Sequence, residues 1–378
     1  MHPRPPGPGP GPGPDEDTGL ANPHPPAPVH YAEQALLGAL LLEPACLADL
    51  DHLAAEHFGD HAHSALFTAM RTAAVPAADE HCKAPVWLRR VLDAARPQAP
   101  GLTASYLHTL VQRCPWPGHA AAYARMVEAD HARRTVREHA ERLAQAATDA
   151  SLPDPAATVL AQCDALSAFL EALSGRFAPH PGSLPRTPQP PPSRRTAGEE
   201  ALEEERALLA CATARPSRLR EMRWLQPEDF ALPLHGQLFA CLTALVHRRE
   251  PVDAVTVLWE AQHQHLLHAG FTPADLIDLL ATPVGTPEHW GEKVLRRALL
   301  AQAHATALQI RAFTDDAANT PHQLATGSRR ALADLTVLRT RWQRATHSPA
   351  TPSRSPAVPR TGPLLRATPA SPATRVSR

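Results

Sequence analysis

EQALLGALLLEPACLADLDHLAAEHFGDHAHSALF, residues 33–67, lies without a gap over ERALLACATARPSRLREMRWLQPEDFALPLHGQLF, residues 205–239. The identical pairs include Glu33/Glu205, Leu36/Leu208, Leu37/Leu209, Pro44/Pro216, Leu53/Leu225, Phe58/Phe230, His63/His235, Leu66/Leu238 and Phe67/Phe239, with Trp87/Trp259 at the same offset. After a three-residue contraction the match resumes at Thr103/Thr272, Leu107/Leu276 and Leu110/Leu279, and it ends, two residues shorter again, at Val127/Val294. Most of these pairs are apolar and fall at core-like spacing, as expected of a duplicated unit that buries the same contacts twice.

Outward from the repeat, apolar residues recur three and four apart, as in Leu36, Leu37, Leu40 and Leu41 or Leu299 and Leu300, with Ala between them. Strict alternation is missing apart from Val252–Val257, where Asp253 reads as a helix N-cap. The expected fold class is all-α, with two tandem small helical domains, each followed by a looser helical stretch.

Composition sets the boundaries. Residues 1–28 form a Pro/Gly-rich tract, 176–197 a Pro-rich linker and 346–378 a Pro/Ser/Thr-rich tail without acidic residues. Proline removes backbone donors and glycine raises the entropy cost of ordering, so these three stretches are expected to be disordered. The domains between them span 29–175 and 198–345. Five arginines in the tail (Arg354, Arg360, Arg366, Arg375, Arg378) suit weak, non-specific contact with phosphates, although no aromatic is interleaved for stacking.

The net charge of −1 gives no global reason to expect nucleic acid or a membrane surface as partner. Six scattered cysteines form no C-x-x-C pair, so neither a zinc site nor a disulfide framework is expected. The most apolar run, residues 34–42, is too short to cross a bilayer, and the reading is of a cytoplasmic protein without a membrane partner. Only two lysines occur, Lys83 and Lys293; neither follows a Gly or precedes Ser or Thr, so no phosphate-binding loop is present. No catalytic residue, cofactor or metal is expected. His61 and His63, and the group His263, His265 and His268, lack carboxylate or Cys ligands at suitable spacing; the recurrence of His63 as His235 points instead to a shared structural hydrogen bond. Glu203–Glu205 read as a helix start, and Trp87, Trp259 and Trp290 as core anchors.

One copy resembles the N-terminal domain of bacterial replicative DNA helicases, the DnaB family. The resemblance is carried by Ala32–Leu41, by Phe58, His63, Leu66 and Phe67 with their second-copy partners, by PVDAVTVLWE (Pro251–Glu260), by Tyr106–Leu110, and by a long helix with Tyr123, Val127, Arg133 and Arg134. It covers roughly 29–172 and 203–342. The first copy departs from it at Glu80-His81-Cys82, and the second has Arg206 and Ala210 where the first keeps Gln34 and Gly38.

The resemblance implies domains that pair through a helical hairpin to build a collar, where primase and loading factors dock. The family's RecA-like ATPase has no counterpart here. The expected role is therefore a motor-less interaction module of DNA replication, with the replicative helicase, primase or helicase loader as partner. An accessory subunit aiding a motor-bearing chain in trans, or a diverged structural remnant, stays open. The long helices near 119–146 and 288–313, with Arg133, Arg134, Arg137, Arg296 and Arg297, are the candidate partner interface. The repeat core is expected to be Leu36, Leu37, Phe58, Leu66 and Phe67 with Leu208, Leu209, Phe230, Leu238 and Phe239.

Overall fold

The apolar run of the first copy forms helix α1 (Pro28–Leu42), with Pro28 in its first turn, where a missing N–H costs nothing. Every residue from Ala32 to Leu41 is buried, so α1 is the central rod of its domain rather than an amphipathic surface helix. Described in this computed structural model are residues 26–76, 86–177, 179 and 198–346; the tract 1–25, segment 77–85 with Glu80-His81-Cys82, the linker and the basic tail lie outside them.

Around α1 pack α2 (His61–Thr72), α3 (Val86–Ala95) and α4 (Ala104–Arg113), which together make a small head. Asp60 caps α2 by accepting from the amides of Ala62 and His63, and Thr103 caps α4 through Tyr106. A hairpin follows, made of α5 (Ala120–Thr148) and α6 (Pro155–Arg176). The second copy repeats this order: α7 (Glu199–Ala214), α8 (Pro233–Arg248), α9 (Ala254–His263) and α10 (Pro273–Leu280) form the head, and α11 (Pro287–Asp315) and α12 (Pro321–Thr346) the hairpin. The Thr103 cap repeats as Thr272, which accepts from the Asp275 amide at α10; Asp253 caps α9, and Leu232 at the start of α8 makes no side-chain cap. Among the described residues there is no strand, and the chain is all-α.

Leu36, Leu37, Leu66, Leu208, Leu209 and Leu238 are fully buried, and Phe58, Phe67, Phe230 and Phe239 nearly so. In each head the two phenylalanines pack ring on ring, at 5.0 Å in the first and 5.2 Å in the second. Helix α6 is long and apolar enough, by length and composition alone, to cross a membrane; in the fold its Val159, Leu166 and Leu170 are fully buried against other helices.

Two sequence expectations need correction. Trp87 is buried and donates to the Leu40 carbonyl at 3.1 Å, but Trp259 is 64% exposed. Val91 and Ala261 are the corresponding buried positions, so the register has already slipped by two residues before these helices, and the tryptophan match is accidental. Trp290 is partly buried and donates to the Val284 carbonyl. Glu203–Glu205 do not open α7, because Glu199 and Glu200 occupy its first turn and Glu204 and Glu205 are buried further along. Helix α9 ends at His263, and His265 takes the left-handed conformation (φ 57°) that closes it, with the Leu266 amide returning to the Ala261 carbonyl.

Candidate interaction interface

Each head is held by a buried carboxylate. Glu33 accepts from the Gly59 amide at 2.5 Å and lies 2.6 Å from His63 Nδ1; the other His63 nitrogen meets the Tyr106 hydroxyl at 2.7 Å. In the second copy Glu205 accepts from the Ala231 amide at 2.5 Å and from His235 Nδ1 at 2.8 Å. This is the shared hydrogen bond that the recurrence of His63 and His235 announces. Its effect is to fix the loop before α2 or α8 onto the first helix of the head.

Further links tie each head to its own hairpin, while Arg176, at the end of α6, reaches Glu128 of α5 at 2.5 Å and joins the two helices of the first hairpin. Arg341, near the end of α12, donates to the Trp224 carbonyl at 2.8 Å and pairs with the buried Asp229. In the first copy Arg134 also donates to the His57 carbonyl, and in the second Arg297 and Lys293 converge on Glu204.

The two hairpins pack on each other. Helix α5 lies along α11, α6 lies along α12, and the four enclose one core that includes Val136, Leu143, Leu166, Leu299, Ile310 and Leu335. Arg329 pairs with Glu171, and ten residues further on Arg339 pairs with Asp164, seven residues earlier in α6, so α6 and α12 run in opposite directions. The polar centre of the seam is Arg133. Its guanidinium donates to the carbonyls of Thr314, Asp316, Ala317 and Asn319 at 3.1, 2.7, 3.2 and 2.6 Å. These are the carbonyls at and beyond the end of α11, which have no partner within the helix and carry the negative end of its dipole. Arg137 adds an ion pair to Asp315 at 2.5 Å.

The structure therefore brings two of the candidate arginines, Arg133 and Arg137, to the other copy. Arg134 and Arg297 serve their own heads, and Arg296 is exposed. Sequence reading missed Arg341, Arg176 and the residues they hold, whose separation along the chain leaves no local signal.

Ligand chemistry is limited by bonds already made. His30, Glu33 and His63 lie within 4.8 Å of one another, as do Glu56, His57 and His131. Glu33 and both nitrogens of His63 are engaged in the head clamp. His57 Nδ1 accepts from the Ala54 amide at 3.2 Å, which puts the ring proton on Nε2 and leaves no lone pair there for a metal. Burial, then the neighbouring His131, Arg176, His52 and Arg134, push the His57 pKa down to about 4, so the ring is neutral. Burial also pushes the thiols of Cys163 and Cys241 up, to about 12 and about 11, which makes them poor nucleophiles.

Two heads whose hairpins pair within one chain define a tandem, internally paired helical protein. The family model for the DnaB-like helicase N-terminal domain matches residues 25–129 and 198–292, together more than half of the chain, and the chain belongs to that family. Each match runs from the head a short way into α5 or α11, and no other domain is matched. The family ties the chain to a helicase-related role in DNA replication. No curated protein and no solved structure matches the chain significantly.

Proposed function

We propose that the chain is a motor-less interaction module of the replication machinery, presenting two helicase-type heads as a ready-made pair to the replicative helicase, the primase or a helicase loader. The supporting observation is the seam itself: the hairpins, the elements through which such domains are expected to pair, satisfy each other inside one chain. Unwinding then belongs to another, motor-bearing chain. The exposed faces of the heads, and Arg296 on α11, are left to meet the partner. A cytoplasmic location goes with this role.

The test is a pull-down of the tagged full-length protein from native lysate, with partners identified by mass spectrometry and then re-bound in purified form. Enrichment and direct binding of helicase, primase or loader is the expected result; reproducible absence of all three withdraws the replication role. Adding the protein to the purified motor separates two modes of action. Inhibition or no change of its ATPase fits a decoy or adaptor, and stimulation fits an accessory subunit acting in trans. Salt-sensitive DNA binding, if measured, is expected to disappear on deletion of 346–378.

A further inference from the structure

The surfaces of the two heads differ beside α2 and α8. In the first, Arg71 on α2 pairs with Asp51 at 3.0 Å, bridging α2 and the loop that follows the turn Pro44–Leu50. In the second copy the corresponding positions hold Thr243 and Arg223, so this bridge is lost. A groove of about 730 Å³ opens there between α8 and the loop of Leu219–Leu225. Phe239, Ala240 and Ala244 form its floor, and Arg220, Arg223, Arg249 and His247 stand exposed on its rim.

The charge at this rim is uncompensated. The neighbouring Arg218 is engaged by Glu221 and Glu288, and Arg248 by Glu250 and Glu260. The guanidinium groups of Arg220, Arg223 and Arg249 make no ion pair or hydrogen bond among the described residues. Arg249 moreover sits at the C-cap of α8 with φ 61°, a conformation that glycine adopts without strain, and it places a third cation on the rim.

We infer that this groove of the second head docks an acidic segment of a partner protein, one in which Asp and Glu flank one or two apolar anchors. Three unpaired arginines supply the electrostatic complement and bidentate geometry for carboxylates, and the α8 floor takes the apolar side chains. A single-stranded nucleic acid fits less well, because Phe239 is 1% exposed and the His247 imidazole is the one ring on the rim, too few for successive bases to stack on. In the first head Ala48 and Asp51 stand where the second has Arg220 and Arg223, and Asp51 pairs with Arg71, so the cationic rim is not repeated there. This proposal rests on reading the chain as an interaction module and names the chemistry of the segment that it accepts.

The test is a random-peptide display selection on the full-length protein, followed by fluorescence anisotropy with the enriched peptides. Two variants serve as controls, each checked by circular dichroism. Arg220→Glu/Arg223→Glu/Arg249→Glu reverses the rim charge, and Arg223→Asp/Thr243→Arg installs the ion pair of the first head. The expected result is enrichment of acidic peptides with Leu, Phe or Met anchors, binding at least tenfold weaker to both variants, and weaker binding with added salt. Enriched peptides without acidic bias, or equal affinity for wild type and variants, overturn the proposal. So does labelled oligo(dT) that binds the wild type and is lost in both variants while no peptide is enriched. The selection uses no replication protein, so a failed helicase or primase pull-down leaves its result standing and the two failures remain distinct.

Discussion

Glu33 and Glu205 show how much one buried carboxylate organises: each is about 1% exposed or less and spends both oxygens on holding a loop and a histidine. Removing either orphans a buried amide and a buried imidazole together, so Glu205→Ala is expected to lower stability by about 3 kcal/mol. The exposed Glu203→Ala on the same helix is expected to cost less than about 0.5 kcal/mol, and urea unfolding of the two variants gives the comparison. His57 sets a pH dependence of definite sign. Its folded pKa of about 4 lies below the unfolded value near 6.5, so between these the unfolded chain takes up a proton that the folded chain refuses. Stability falls as pH drops through that window, by the order of 1–3 kcal/mol. His57→Gln is expected to flatten the slope, as read from unfolding midpoints at pH 7, 6, 5 and 4.5.

At the scale of elements, Gly38 decides how closely α1 and α4 approach. A Cβ there would stand 2.2 Å from the Leu110 carbonyl oxygen, so Gly38→Ala must push α4 away and is expected to cost about 1–3 kcal/mol. The second copy carries Ala210 at this position, and its α7 cannot receive α10 in the same way. Arg133→Ala strips the end of α11 of its cap and is expected to cost about 2 kcal/mol, with amide exchange rising at 314–320. Much of the fold was legible because helices are specified locally: the threonines that cap α4 and α10 are an identical pair, Asp253 reads as a cap, and the paired leucines and phenylalanines are core. What escaped sequence reading depends on distance. Arg341 finds Asp229 across 112 residues, and the targets of Arg133 are main-chain carbonyls, which carry no side-chain signature. Trp259 misled because an offset read from the strongest stretch was carried past the point where it had changed.

For the whole molecule, the shared bundle makes the fully paired state a single chain. Light scattering at micromolar concentration is expected to give one chain mass, 40.7 kDa. Shortening the segment 178–197 until the hairpins cannot fold back should drive exchange between two chains and double that mass. A single-chain mass for the shortened protein would show that the seam is not needed to bury the hairpins. The pairing is not symmetric in detail: on the register of Val127/Val294, Leu300 stands opposite Arg133, so the polar clasp exists on one side only.

That clasped seam also fixes what the molecule can trade. A hairpin tethered to its mate experiences an effective concentration of the order of millimolar, so dilution does not part the halves and a free subunit at cellular levels competes poorly for either of them. The chain is thereby closed to subunit exchange and enters any larger assembly as an indivisible unit of two, with its heads as the surfaces still on offer.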